Sequence, residues 1–438
     1  MNICFIGTGY VGLVSGVLFS DLGNNVYCVD NNSEKISNLE QGIIPIYEPG
    51  LEELVKKNFN AGRIKFTTNL AEAIRKSDIV FIAVGTPTSK DGLSANLQSV
   101  YDVAKLISKN INSHKIIITK STVPLGTGDE IEKILLKNNN HKMFDVVSNP
   151  EFLREGEAIR DFKYPDRIVI GTNNIKKVSS IMEDLYLPII KKGAKFLVVQ
   201  RRAAELIKYA SNGFLATKIT FINELANLCE RTGINIEDIA LGIGTDARIG
   251  SRFLRAGPAY GGSCFPKDTK ALAKTAAKFN TNLSVINSVI KSNESRSDLI
   301  TFKILKILKK PNNKKVGFLG VTFKANTDDM RDSSSLKIIP KLIKKGCLVS
   351  YYEPTGEKEI LKKYKTIKNF RNINDLINNS DLVIIHTEWD EFKSLDFEKV
   401  SKNKKLLIFD LRNLYEPHDF LNKKIKYYQK LIIQNFIT

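Results

Sequence analysis

The chain has 438 residues, 42% apolar and 26% charged, which predicts roughly two or three domains of about 150 residues, each with core enough to fold unaided. Its formal charge of +19 is spread along the chain and forms no zinc-finger, RNP or arginine-rich pattern, so no nucleic-acid partner is expected, while a positive field favours acidic substrates. No apolar run approaches the roughly 18 residues that span a bilayer, so no membrane partner is expected and the reading is a soluble, cytoplasmic protein.

Residues 2–6 read as a short apolar strand and 10–22 as an amphipathic helix, with Gly7-Thr8-Gly9-Tyr10-Val11-Gly12 at the turn between them. In such a turn Gly7 permits the bend, Gly9 lets a pyrophosphate approach the backbone, and Gly12 allows close helix–strand packing, with the phosphates facing the helix N-terminus. A second strand, 26–29, ends in Asp30, whose carboxylate would accept hydrogen bonds from adenosine ribose hydroxyls and repel a 2′-phosphate; Lys35 tempers that repulsion. The expected cofactor is therefore NAD. Strands 78–84 and 115–120 run into Gly85-Thr86-Pro87-Thr88 and Ser121-Thr122-Val123-Pro124. Hydroxyl residues at successive strand ends suit the cofactor crevice of a doubly wound sheet, and equally suit capping of the helices that follow. After strand 144–148 comes Asn149-Pro150-Glu151-Phe152-Leu153-Arg154-Glu155-Gly156, two acids and a base where an α/β sheet keeps its chemistry. One of the carboxylates could activate a water. Strands 167–171 and 195–199 complete an alternation that predicts a parallel sheet.

From residue 203 the pattern turns helical, with a long apolar-periodic stretch through 231 and further helices near 236–241, 269–279 and 284–308. Lys208 and Asn212 stand at i and i+4 on the long helix, where a cation and an amide can stabilise an alkoxide or serve merely as polar surface. The turn-rich Lys309-Lys310-Pro311-Asn312-Asn313-Lys314 reads as a boundary. Beyond it, strands resume at 316–319, 349–352 and 406–410, and residues 372–383 align without gaps on 69–80, each a helix followed by a parallel strand. The pattern predicts an α/β protein with two Rossmann-like, doubly wound parallel-sheet domains, 1–200 and 311–438, joined by a central helical domain, 201–310, with a long helix. The opening turn of the last domain, Gly320-Val321-Thr322-Phe323-Lys324, lacks the glycine fingerprint and should hold something other than a dinucleotide.

Five cysteines form no CxxC pair, which argues for a reducing compartment and against zinc; no metal is expected. Cys4, Cys28, Cys229 and Cys347 lie in apolar stretches or beside a turn and read as small core residues. Cys264 differs. In Gly261-Gly262-Ser263-Cys264-Phe265-Pro266-Lys267-Asp268 it stands near a helix N-terminus, whose dipole favours the thiolate, with Lys267 adding positive charge and the glycine pair leaving room for a bulky ligand. A thiolate in the same chain as a hydride acceptor suggests that an aldehyde is captured and oxidised again, to an acid.

In chain order, GxGYVG, VGTP, KSTVP, NPEFLREG, the Lys208-x-x-x-Asn212 helix, GGSCFPKD and the run from Phe323-Lys324 to Asp329-Met330-Arg331-Asp332-Ser333 resemble the UDP-glucose/GDP-mannose dehydrogenase family over nearly the whole chain. Ala259 and Ser334 depart from its usual Gly and Pro. The resemblance implies an NAD-dependent, four-electron oxidation of a sugar C6 hydroxyl, with Cys264 carrying first a thiohemiacetal and then a thioester. It implies Lys208 and Asn212 as oxyanion stabilisers, Asp268 with Thr122 as holder of a water or proton, and Glu151 as the base for hydrolysis. The fingerprint residues, Tyr10 and Val11 included, with Asp30, Lys35, Thr86 and Thr122, form the expected NAD site, and Glu155, Lys267 and Arg331 lie toward it. Glu151, Phe152, Leu153, Phe253, Gly261, Lys324 and Arg412, with Lys208 and Asn212, are implied at the nucleotide sugar. Arg248 would reach that sugar from a neighbouring subunit of a homodimer built on the long helix. UDP-glucose is the expected substrate, ahead of GDP-mannose or a UDP-N-acetylhexosamine. A two-electron β-hydroxyacid dehydrogenase would need neither Cys264 nor the last domain, and a non-catalytic NAD-responsive protein would leave the thiol idle.

Overall fold

The computed structural model describes residues 1–89, 92, 94–402, 405–420 and 425–429, the side chain of Pro417 excepted, so residues 403–404, 421–424 and 430–438 of the expected last domain lie outside the described residues. Two compact units share the chain: Met1–Ser211 with Lys270–Thr281, and Asn212–Thr269 with Asn282–Thr438.

The first unit is built on strands β1 (Asn2–Ile6), β2 (Asn25–Val29), β3 (Ile64–Thr67), β4 (Ile79–Ile82), β5 (Lys115–Thr119), β6 (Phe144–Ser148), β7 (Arg167–Thr172) and β8 (Lys195–Val199) in the order β3-β2-β1-β4-β5-β6-β7-β8. Strands covered on both faces read as near-continuous apolar runs, and β4 and β5 are buried at every position, β5 with a polar residue only at each end. Phe5 of β1 stacks on Phe81 of β4 with ring centroids 4.4 Å apart, and Phe19 from the first helix, Tyr10–Asp21, closes on both rings. The expected all-parallel sheet is corrected at one seam, because β7 runs antiparallel to β6 and meets it only through Val147↔Thr172 and Ser148↔Gly171. The rest of β7 projects past the carboxyl end of β6, alongside the segment that follows Ser148. Alternation of strands and helices fixes element types but not strand direction, so the sequence pattern is silent on this inversion.

In the second unit β9 (Lys315–Leu319), β10 (Leu348–Tyr352), β11 (Lys368–Asn369), β12 (Leu382–Ile385), β13 (Leu407–Asp410) and β14 (Lys426–Tyr428) form a parallel sheet in the order β11-β10-β9-β12-β13-β14, the same winding as the first six strands of the first sheet. The internal repeat is reproduced at the level of single bonds. Asn69 and Asn372 cap the helices Leu70–Lys76 and Ile373–Asn378, and Asp78 and Asp381 donate their N–H to the first residue of β1 and β9 at 2.9 and 2.8 Å. The opening turns diverge. Gly320 has φ +75° and a Cβ there would lie 2.4 Å from Thr387 Cβ, while the acid after β10, Glu353, is buried and takes the N–H groups of Val321 and Thr322 at 2.8 and 3.3 Å.

The helix Arg201–Thr232 is 32 residues long, and Phe265–Lys278 starts four residues earlier than the pattern predicts. Proline at the second position of a helix has no N–H to leave unpaired, so Pro266 sits inside the first turn, and Asp268 N–H bonds Cys264 O at 2.8 Å.

Ser334, the departure from proline, has a partner: its hydroxyl meets His386 Nε2 at 2.8 Å, both residues being buried. Thr387 Oγ1 gives its hydrogen to Thr322 O, so it can only accept from His386 Nδ1–H, and the ring is neutral with both nitrogens used. Burial, with the Arg412 guanidinium nearby, holds His386 down at about 3 against an ordinary 6.5. The unfolded chain therefore takes up this proton first as pH falls. The contribution is complete above about 6.5 and is lost toward 3 at about 1.4 kcal/mol per pH unit. The single tryptophan, Trp389, is buried in the same unit and reports its unfolding. Denaturation followed by Trp389 fluorescence should lose roughly 2 kcal/mol between neutral pH and about pH 5, and His386→Asn should flatten that slope. A wild-type profile without slope over this range would contradict the buried neutral ring.

Candidate active site

The dinucleotide turn fits the cofactor by exclusion of side chains. A Cβ at Gly7 (φ +100°) would meet Ala83 O at 2.8 Å and one at Gly12 would meet Gly7 O at 1.9 Å, so both are fixed by packing. A Cβ at Gly9 meets nothing within 4 Å, and Gly9 opens the Tyr10–Asp21 helix with no side-chain cap, which leaves N–H groups facing open space for an anion. Asp30 Oδ2 accepts from Thr8 N–H and Oγ1 and from Lys35 Nζ at 2.9, 2.7 and 3.0 Å, while among the described residues Oδ1 takes only Asn32 N–H at 3.2 Å. Burial opposes its charge, but these donors prevail and hold the carboxyl at about 2, so Oδ1 remains an ionised acceptor. Thr86 Oγ1 donates to Thr122 O at 3.1 Å, tying the loops after β4 and β5 together. Tyr10 spends its hydroxyl on Glu48, a buried carboxylate that also takes the N–H groups of Gly156 and Ala158 at 2.7 and 2.8 Å. Sequence reading missed Glu48, which fastens the segment containing Glu155 to the cofactor helix.

At the carboxyl end of β6, Glu151 Oε1 pairs with Lys208 Nζ at 2.9 Å, each side chain 5% exposed, and Glu151 Oε2 takes Leu153 N–H at 2.6 Å. The Phe152 ring has the Arg167 guanidinium 3.8 Å from its centroid and Lys208 Nζ at 5.3 Å. Arg167 can stand there because β7 is inverted and projects beyond β6. Beneath the same motif, Lys120 Nζ donates to Asn149 Oδ1 at 3.0 Å and to Tyr186 Oη at 3.3 Å. Lys120 and Asn149 stand in the KSTVP and NPEFLREG motifs but were given no role from sequence, and Tyr186 was not singled out.

In the second unit Cys264 is half-buried, while the other four cysteines are buried and none of the five is disulfide-bonded. Burial pushes Cys28 and Cys347 up to about 12 and 11, leaving Cys264 as the cysteine placed for reaction at the N-terminus of a 14-residue helix. Asp268, fully buried, accepts from Asn212 Nδ2 at 2.6 Å and pairs with Lys267 Nζ at 2.9 Å. The room at Gly261-Gly262 that the sequence reading left to a ligand is corrected: Cβ atoms there would meet Asp332 O at 2.5 Å and the Phe323 ring at 2.8 Å, so the protein's own chain fills it. Phe253 packs edge-on to Phe265 with φ +67°, a conformation costly for an aromatic residue and typical of binding sites. Arg412 donates to Phe323 O at 2.8 Å and His386 O at 2.9 Å and pairs with Glu388 at 2.8 Å, and Lys324 Nζ lies 5.8 Å from the centroid of the Phe323 ring. Arg331 and Arg248 are exposed and paired with Asp329 and Asp246.

Relatives bear on this arrangement. A UDP-glucose 6-dehydrogenase of Rhizobium meliloti (strain 1021) is 46% identical over 98% of this chain and 98% of its own. One of Rickettsia prowazekii (strain Madrid E) is 44% identical over 98% and 99%. The solved UDP-glucose dehydrogenase of the archaeon Pyrobaculum islandicum superposes with a TM-score of 0.89 at 34% identity, covering 98% of this chain and 97% of that one. The NAD-binding, central and UDP-binding domain models of one family match residues 1–190, 202–295 and 317–417. The chain therefore belongs to the UDP-glucose/GDP-mannose dehydrogenase family.

Proposed function

We propose that this chain oxidises the C6 hydroxyl of UDP-glucose to a carboxylate, giving UDP-glucuronate, as a cytoplasmic homodimer organised in three parts, 1–200, 201–310 and 311–438. The observation that carries the reading is Cys264 at a helix N-terminus in a chain whose first strand ends in a turn fitted to a dinucleotide. NAD, held by the turn at Gly7, Gly9, Tyr10, Val11 and Gly12 and by Asp30 with Lys35, Thr86 and Thr122, would accept one hydride in each of the two oxidation stages. Glu155, Lys267 and Arg331 lie toward it in this reading.

The chain's own groups do the rest. Lys208 and Asn212, one helical turn apart, donate to the C6 oxygen as negative charge grows on it. Asp268, with Thr122, holds the proton that leaves that oxygen or the water that carries it away. Cys264 sulfur adds to the aldehyde carbon, so the aldehyde stays bound as a thiohemiacetal, and loss of the second hydride leaves a thioester. Glu151 takes a proton from water, hydroxide adds to the thioester carbon, and the Cys264 thiolate leaves. Lys324 and Arg412 suit the diphosphate, with Phe152, Leu153, Phe253 and the backbone of Gly261, its side-chain position being filled by the chain itself, around the sugar. The homodimer reading rests on Phe214, Phe221 and Leu228, 65%, 51% and 56% exposed and spaced by seven along the long helix, an apolar stripe that a second copy would cover. Arg248, exposed, would reach the neighbour's sugar.

Across a panel of nucleotide sugars, UDP-glucose should give the highest kcat/KM, and a preference for GDP-mannose or an N-acetylhexosamine nucleotide would overturn the named substrate. Cys264→Ala should lower acid formation by about a thousandfold or more with NAD affinity within about twofold; normal turnover would refute the covalent step. Asp30→Ala should weaken NAD and narrow the gap to NADP, by about 1.5 to 3 kcal/mol for one charged hydrogen bond. A wild type that prefers NADP would mean that Lys35 has overridden the carboxylate.

A further inference from the structure

Lys120 is 5% exposed and sits at the end of β5, and among the described residues its ammonium hydrogen-bonds only to neutral partners, Asn149 Oδ1 and Tyr186 Oη. A buried cation without a hydrogen-bonded carboxylate is costly to keep, which asks for a reason beyond packing. Its partners are themselves held. Asn149 Nδ2 donates to Val169 O at 2.9 Å, Asn149 N–H to Thr119 O at 3.0 Å, and Tyr186 Oη to Asn149 Oδ1 at 2.5 Å. Asn149 is followed at once by Pro150 and Glu151, so the ammonium is bonded to the residue from which the Glu151 turn departs.

We propose that Lys120 is a positioning residue for the reaction: through Asn149 it fixes the turn that presents Glu151, and it adds to the Glu151–Lys208 pair positive charge that favours the oxyanion developing at C6. The titratable and charged groups facing Lys120 are Tyr186 from the helix Ile175–Ile190, Glu151 from the segment after β6 and Lys208 from the long helix. Glu151 shares its charge with Lys208, so Lys120 remains an additional cation rather than half of a closed pair. Burial pushes the ammonium down to about 8, with Glu151 supporting its charge and Lys208 opposing it. Its charge is therefore present at neutral pH and lost just above it.

This rests on the roles given above to Glu151 and Lys208, so Lys208→Ala is measured alongside. In the full-length enzyme with UDP-glucose and NAD, the wild-type kcat should fall on an alkaline limb near pH 8. Lys120→Met should lower kcat about 10- to 100-fold near neutral pH, leave KM and NAD affinity within about twofold, and abolish that limb. Tyr186→Phe, which removes one acceptor from the ammonium, should move the limb to lower pH, and it decides the matter if Lys120→Met fails to fold. The proposal is overturned if Lys120→Met keeps kcat within about twofold, or if kcat falls while the limb stays in place, or if Tyr186→Phe leaves the limb unmoved. Should Lys208→Ala also retain activity, the reading of the pair fails with it; if Lys208→Ala is inactive and Lys120→Met normal, only the role of Lys120 fails.

Discussion

The buried ion pair between Glu151 and Lys208 is the constraint around which the first unit is arranged. Two charges 2.9 Å apart and 5% exposed forfeit hydration worth several kcal/mol each, and such a pair commonly stabilises a fold no better than apolar residues of the same size. Its neighbours are organised to keep it. Leu153 N–H satisfies the second carboxylate oxygen, Asn149 anchors the turn, and the inverted β7 delivers Arg167 to the Phe152 ring. The helix carrying Lys208 goes on, one turn later, to Asn212, which is bonded to Asp268 four residues after Cys264.

The two sheets show how one winding serves two ligands. In both, a glycine turn follows the first strand and an acid follows the second. Asp30 keeps a carboxylate oxygen with one donor, and Gly9 faces open space. Glu353 is buried and consumed by its own turn, and Thr387 closes on Gly320. The first arrangement admits a dinucleotide. The second spends the same elements on internal bonding.

Features written in local pattern were legible in the sequence: the fingerprint glycines, Asp30 at a strand end, the duplicated helix–strand unit at 69–80 and 372–383, and a cysteine ahead of a helix. The direction of β7 was not, because it depends on which strand edges meet and not on the period of apolar residues. Lys120, Tyr186 and Glu48 were missed for a related reason. Each acquires its meaning from partners distant in sequence, such as Tyr186 at 66 residues from Lys120, and a single lysine or glutamate gives no sign that it will be buried. The space at Gly261-Gly262 was misassigned because a glycine pair says that something comes close, not whether that is a ligand or Phe323. Ser334 read as a mere departure until His386 appeared beside it.

The central claim is that Cys264 retains the aldehyde so that one site carries out both oxidations. The most direct test is the amount of NADH formed per UDP-glucose consumed under limiting sugar, with a carbonyl trap present. The account predicts two NADH for each UDP-glucuronate and no trapped aldehyde; one NADH for each sugar, with the aldehyde recovered in the trap, would contradict it.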